Sequence, residues 1–287
     1  MWPIREINAK SILTPTSGFI REAGFTHSLT PARNCTYGCT YCYVPTMGFY
    51  GGLKAEDTRH WGEFTTFKSN APALLERIHV GEAVIYCSPL VDPYQPVEAD
   101  FRMMPRVLDA VLNNPPRVFT IQTRSPLILR DLSQLLELSR LTKLRVSMSV
   151  TTDLDAVRKR YEPHCEPNDA RLEAITRMRE CGIEIYATLA PLLPCNPEVL
   201  AELAVAAGRR DLIGDPLHVR DTKPFGATTR ACAVAIARHA KEEAWFDPEF
   251  QHKVVERIRR TATSSGFRFE TGPGGFAMLA RLPSQAD

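Results

Sequence analysis

Three thiols stand within eight residues of one another: Cys35, Cys39 and Cys42, in the run Asn34-Cys35-Thr36-Tyr37-Gly38-Cys39-Thr40-Tyr41-Cys42-Tyr43. A C-x3-C-x2-C spacing lets one loop wrap a single metal centre, and Gly38 offers a backbone turn that a Cβ would hinder. Three thiolates on zinc would need a fourth ligand, and no Cys or His follows at the usual short spacing. Three thiolates on a [4Fe–4S] cluster would leave one iron without a protein ligand, open to another molecule. Three buried loop cysteines without a metal are the plainer alternative. In a chain of this kind eight cysteines fit ligands, reactive thiols or buried hydrophobes better than disulfides.

A loop holds three sulfurs in place only if regular elements fix its ends. Residues 25–29 read as a short strand feeding the cysteines, followed by a turn-rich loop to about Phe67. Residues 71–79 have a helical pattern, and Ala83-Val84-Ile85-Tyr86-Cys87 has the continuous apolarity of a buried parallel strand. The alternation continues with a helix at 101–113, a strand at 118–123, a helix at 127–141 and a strand at 144–150. Helices at 153–161 and 169–181 flank the breaker Pro163-His164-Cys165-Glu166-Pro167. A strand at 183–189, a helix at 197–208 and a weaker strand near Leu217-His218-Val219 follow. The chain closes with helices at about 229–243 and 248–264, and with residues 266–281 as a Gly-punctuated hairpin.

About six strand–helix units predict an α/β fold with a parallel sheet, better matched by a partial (β/α)6 barrel than by a closed eight-fold one. A doubly wound open sheet is the alternative. No composition shift cuts the chain. The expected organisation is an N-terminal leader over 1–23 that packs on the domain, a core barrel over 24–222, and C-terminal helices and hairpin over 223–287 completing it.

With 287 residues, 44% hydrophobic and 24% charged, the chain can bury a sizeable core, which excludes collagenous and wholly disordered classes. A net charge of +2 lends no support to a nucleic-acid or membrane partner, although local runs such as Arg257-Ile258-Arg259-Arg260 leave nucleic acid open. No run approaches the roughly 20 apolar residues of a bilayer span. The amino terminus lacks the apolar core of a signal peptide, so a cytoplasmic location is expected.

The cysteine spacing, with an aromatic before the last thiol, resembles the cluster loop of the radical S-adenosylmethionine enzymes. Further runs resemble their spore photoproduct lyase-like branch: Tyr41-Cys42-Tyr43, Asp92-Pro93-Tyr94-Gln95-Pro96-Val97-Glu98, Thr123-Arg124-Ser125-Pro126, Ser147-Met148-Ser149-Val150-Thr151-Thr152 and Ala190-Pro191-Leu192-Leu193-Pro194. The likeness covers about residues 25–200. It implies a partial (β/α)6 barrel with the cluster after its first strand. It also implies that Cys35, Cys39 and Cys42 hold a [4Fe–4S] cluster whose free iron binds S-adenosylmethionine. Cleavage of that cofactor to a 5′-deoxyadenosyl radical, hydrogen abstraction from a substrate such as a DNA photolesion, and an electron donor such as flavodoxin or ferredoxin come with the same resemblance. A non-catalytic zinc or iron–sulfur module, and a radical enzyme acting on peptide, RNA or a small metabolite, are the rival readings.

Strand carboxyl ends are where such folds build sites, and Ser88, Asp92, Arg124, Ser125, Ser149 and Thr151 fall at or just beyond them. Each is a polar group suited to a zwitterionic sulfonium nucleotide, and Arg124 can pair bidentately with a carboxylate. The Gly-Gly-Glu run common in the family is missing after the second strand, where Ser88-Pro89-Leu90-Val91-Asp92 stands, so Asp92 or the Ser88 region is the candidate holder of the cofactor's amino group. The same resemblance implies Cys87 as a candidate hydrogen donor at the barrel mouth; with the opposite side-chain direction it is a core thiol. Tyr41 and Tyr43 are candidates to shield the cluster or relay a hydrogen. Cys165, Cys181, Cys195 and Cys232 are scattered without ligand spacing, which argues against a second cluster.

Overall fold

The computed structural model of the protein describes residues 2–47, 52–223 and 228–282. Among these residues are eleven strands: β1 (Ile4–Ile7), β2 (Leu13–Pro15), β3 (His27–Leu29), β4 (Ala32–Arg33), β5 (Thr65–Lys68), β6 (Val84–Cys87), β7 (Val118–Thr123), β8 (Lys143–Ser149), β9 (Ile185–Leu192), β10 (Leu212–Pro216) and β11 (Phe269–Thr271). Eight form one sheet in the order β11-β10-β9-β8-β7-β6-β3-β2, in which only the β2–β3 pair is antiparallel.

The central strands follow one another in chain order. A doubly wound sheet reverses its order at a switch point. This sheet never does, so its crossovers all progress one way, as in a partial (β/α)6 barrel. The sheet is α/β and open, with β2 and β11 at its edges.

Alternation along the strands separates two faces. Ile85, Phe119, Ile121, Val146, Met148, Ile185 and Ala187 face the connecting helices and share one large core with them. Helix Met103–Asn113 joins that core through Met104, Val107, Leu108 and Val111, a helical i, i+3, i+4, i+7 stripe. The opposite face carries Tyr86, Thr120, Gln122, Arg145, Ser147, Ser149 and Thr188, with Val84, Val118, Tyr186 and Ile213 forming a smaller apolar cluster.

What covers that smaller cluster differs from expectation. Residues 266–281 are not a hairpin: β11 is followed directly by helix Gly272–Ala280. Its Phe276, Met278 and Leu279 pack on Val84, Tyr86, Val118 and Ile213. Thr120 Oγ1 donates to the Leu279 carbonyl at 2.8 Å, and Arg145 Nη1 caps the helix end at the Arg281 carbonyl, 2.7 Å away. Gly272-Pro273-Gly274-Gly275, the glycine-rich part of that expected hairpin, is the first helical turn. Proline is tolerated there, and a Cβ on Gly275 would lie 2.4 Å from the Glu270 carbonyl oxygen.

The strand expected at Leu217-His218-Val219 lies earlier, as β10. Its Gly214 is required because a Cβ would meet the Phe269 ring of β11 at 2.5 Å. The first 23 residues do more than pack on the domain. β1 pairs with β5 in a separate three-stranded sheet, β1-β5-β4, and β2 extends the main sheet. Two strands of that small sheet, β4 and β5, lie in the stretch expected to be loop, and β4 runs straight into the first cysteine. Among the described residues no helix is long and apolar enough to cross a membrane.

Candidate functional site

The cysteine loop is built outward from Asn34. This residue is fully buried in the left-handed region at φ 62°, a conformation Asn adopts at less cost than most side chains. Its Oδ1 accepts from the Cys35 and Gly62 backbone N–H groups, both at 2.8 Å, and its Nδ2 donates to the His60 carbonyl at 2.9 Å. Gln95 supports the next residue: its Oε1 accepts from Thr36 N at 2.7 Å and from Thr65 Oγ1 at 2.6 Å. Tyr37 is buried, and its hydroxyl donates to Glu166 Oε2 at 2.9 Å.

Gly38, at φ 58°, turns the loop between the first two thiols and packs against Gly62. A Cβ on Gly62, itself at φ 96°, would lie 2.8 Å from Gly38 Cα, and neither backbone has a flexible end to yield. Gly62→Ala is therefore expected to cost about 1–3 kcal/mol and to shift the loop. Chemical denaturation checks this, and an unchanged midpoint would contradict the packing.

All eight cysteines are free, and Cys35 and Cys39 are buried with Cys42 partly so. Burial pushes the Cys35 thiol well up, helped by the Asp92 carboxylate, and lifts Cys42 to about 12. Cys39 moves down instead, because a neighbouring thiol, Cys165, hydrogen-bonds it against the effect of burial and Arg124 adds positive charge nearby. Among the described residues no three of His, Cys, Asp and Glu are grouped as ligands of a single metal ion. Three unpaired thiols stand together on one backbone-organised loop.

Beside the loop stands a buried charge network centred on Glu162. Its Oε1 accepts from Arg124 Nη1 at 2.7 Å, Thr151 Oγ1 at 2.9 Å and Tyr41 Oη at 2.5 Å, and its Oε2 accepts from Arg171 Nη2 at 2.6 Å. Both Glu162 and Arg171 are fully buried. Burial alone would raise the Glu162 carboxyl, but Arg171 and Arg124 hold it down to about 2.

Arg124 also lies 3.8 Å from Asp92. Asp92 has little capacity left for a ligand: it accepts from Thr123 Oγ1 at 2.6 Å, Arg124 N at 2.8 Å and Tyr94 N at 2.9 Å. Burial pushes its carboxyl up, opposed by Arg124. It ties the β7 end to the segment after β6.

The remaining sequence candidates divide. Ser125 caps the turn Pro126–Asp131 by accepting from Leu127 N at 3.3 Å and donates to Glu166 Oε1 at 3.2 Å. Ser149 lies on the polar sheet face, accepting from Gln122 Nε2 at 2.8 Å, and Gln122 Oε1 accepts from Tyr86 at 2.6 Å. Ser88 is buried with Thr30, 3.3 Å away. Tyr43 is 40% exposed and donates to the Pro89 carbonyl at 2.5 Å.

Cys87 does not face the barrel mouth. Its neighbours in register are Ile121 of β7 and, beyond it, Val146 of β8, and with Ile85 it points into the helix-side core, fully buried. Cys165 has no ligand spacing in the sequence, yet its sulfur sits 3.9 Å from that of Cys39. Glu162, Glu166 and Arg171 carried no motif at all. Glu162 just before the breaker and Glu166 within it are the available signal.

The sequence profile of the Radical SAM superfamily matches residues 29–204, more than half of the chain. The uncharacterized protein MJ0683 of Methanocaldococcus jannaschii is 28% identical over 222 residues, spanning 77% of this chain and 74% of that one. The uncharacterized protein ORF301 of Acidianus two-tailed virus is 25% identical over 230 residues, 74% of each chain. Among solved structures, spore photoproduct lyase complexed with dinucleoside spore photoproduct superposes with a TM-score of 0.62 at 13% identity, over 93% of this chain and 81% of that one. That likeness shows a shared fold. With the profile running from β3 through the cysteine loop and on past β9, the chain belongs to the Radical SAM superfamily, enzymes that use a [4Fe–4S] cluster and S-adenosylmethionine.

Proposed function

We propose that Cys35, Cys39 and Cys42 hold the [4Fe–4S] cluster and that the polar groups at the strand ends hold S-adenosylmethionine over it. The observation that carries this reading is the cysteine loop itself: three free thiols, seated by Asn34 and Gln95, at the carboxyl end of the sheet. When bound, the reduced cluster supplies the electron that cleaves S-adenosylmethionine to the radical that takes hydrogen from substrate. The protein's own part is to seat the cofactor, exclude water and present a substrate C–H bond.

Within this reading Arg124 binds the cofactor's carboxylate, exchanging part of its pairing with Glu162, which keeps Arg171 as its counter-ion. Ser149 and Thr151 supply hydroxyls, and Tyr43 covers the loop from its exposed side. Arg124→Ala is expected to weaken S-adenosylmethionine binding about 10- to 100-fold, the worth of one charged hydrogen bond, and to spare the cluster. Equilibrium binding measures this, and unchanged affinity would reject the role.

Anaerobically reconstituted, reduced protein is expected to form 5′-deoxyadenosine from S-adenosylmethionine, with flavodoxin or ferredoxin as the electron donor. Protein that holds a reducible cluster and leaves the cofactor intact would overturn the proposal. The substrate is read as lyase-like, a photolesion in DNA, on the strength of the shared fold. Deuterium passing from labelled, irradiated DNA into 5′-deoxyadenosine tests it. No transfer would turn the search to peptide, RNA or small metabolites.

A further inference from the structure

Residues 161–166, which connect two helices, run beside the cysteine loop and are stitched to it along its length. Thr40 N donates to the Tyr161 carbonyl at 2.9 Å, Tyr41 bonds Glu162, and Tyr37 bonds Glu166. The His164 ring lies 3.7 Å from where a Cβ of Gly38 would stand. Within this seam Cys165 presents its sulfur 3.9 Å from the sulfur of Cys39, with both residues 6% exposed.

The position of Cys165 is held from both sides of its own backbone. Its N–H donates to the Glu162 carbonyl at 3.1 Å, and its carbonyl accepts from Arg158 Nη1 at 2.5 Å. The separation lies within reach of a hydrogen bond between sulfurs, and little solvent reaches either one to compete for it.

We propose that Cys165 is a positioning residue for the cluster. Its S–H donates to the Cys39 sulfur, holds that ligand's side chain toward residues 161–166, and raises the cluster's reduction potential. The inference rests on Cys39 being a cluster ligand, as proposed above. Reduction adds negative charge to the irons and their sulfurs, so a donor on a ligand sulfur stabilises the reduced form more than the oxidised one. Cys165 acts through Cys39 and does not replace it. A fourth protein thiolate would close the iron position that S-adenosylmethionine occupies.

The test is a reductive titration of reconstituted full-length protein, followed by the paramagnetic signal of the reduced cluster. Cys165→Ala removes the donor and is expected to lower the reduction equilibrium constant about three- to tenfold, or about 30–60 mV for a one-electron couple. Cys165→Ser keeps a donor and is expected to recover at least half of that shift. A Cys165→Ala protein with a full cluster and an unchanged potential would overturn the proposal while leaving the cysteine-loop assignment intact. Loss of the cluster in both variants, to the extent seen on removing Cys39, would also overturn it, since Cys165 would then be a ligand. Failure of the unsubstituted protein to hold any [4Fe–4S] cluster would overturn both readings together.

Discussion

Cys39→Ala is expected to abolish cluster assembly, and with it 5′-deoxyadenosine formation, while the protein stays folded. Removing one of three protein thiolates leaves two irons of the cube without a protein ligand, and water is a poor substitute for a thiolate. The fold should tolerate the change. Alanine keeps the small buried volume at this position, and the loop around it is fixed through Asn34, Gln95 and the Thr40 N–H to Tyr161 bond rather than through the thiol. Iron and sulfide content, read beside circular dichroism, separates the two effects. A folded variant that kept its iron and sulfide would show that the ligand set has been assigned wrongly.

Arg171→Met is expected to cost about 3 kcal/mol of stability, the lower end of the usual penalty for removing one partner of a buried ion pair, because Glu162 keeps Arg124 as a counter-ion. Arg171 is fully buried and holds three acceptors: Glu162 Oε2 at 2.6 Å, the Glu166 carbonyl at 3.1 Å and the Ser149 carbonyl at 3.3 Å. Methionine fills a similar volume, so the loss reports charge and hydrogen bonding rather than a cavity. Denaturant unfolding measures it, and a cost under about 1 kcal/mol would reject the pair as a structural anchor.

The same pair sets an acid sensitivity. Glu162 has a folded-state pKa of about 2, below its ordinary unfolded value of about 4.3. Its contribution to stability is therefore complete above the unfolded value and is lost as pH falls from there toward 2. That contribution is of order 3 kcal/mol, two or so pKa units at 1.36 kcal/mol each. In Arg171→Met the carboxyl returns toward its ordinary range, so the decline in stability between about pH 4 and pH 2 should flatten. An equally steep decline in both proteins would assign the acid loss to other groups.

Both results bear on how far residue order alone reaches. The strands β6, β7, β8 and β9 and the helices between them were legible because buried apolar runs and amphipathic stripes carry their own periods. The cysteine loop was legible because chelation by one short loop depends on spacing along the chain. Where Gly and Pro serve close packing, the same reasoning misled. Gly214 lies under the Phe269 ring and Gly275 lies on the Glu270 carbonyl, so residues that punctuate turns elsewhere sit inside a strand and a helix here. Such contacts leave no periodic trace.

What the order of residues decided by itself is the set of local elements, their alternation and the proximity of three thiols within one loop. All of these follow from interactions between near neighbours in the chain. What only the tertiary structure decided is which distant groups meet that loop: Glu162 and Cys165 brought more than 120 positions along the chain to Tyr41 and Cys39, Arg171 buried beneath them, and Cys87 turned into the helix-side core. The direction of Cys87 is set by the register of β6 against β7, and the meeting of Cys39 with Cys165 by where the segment after β8 crosses the sheet's carboxyl edge. Both depend on strand pairing and on burial of a shared core, quantities that exist only once the chain has closed on itself.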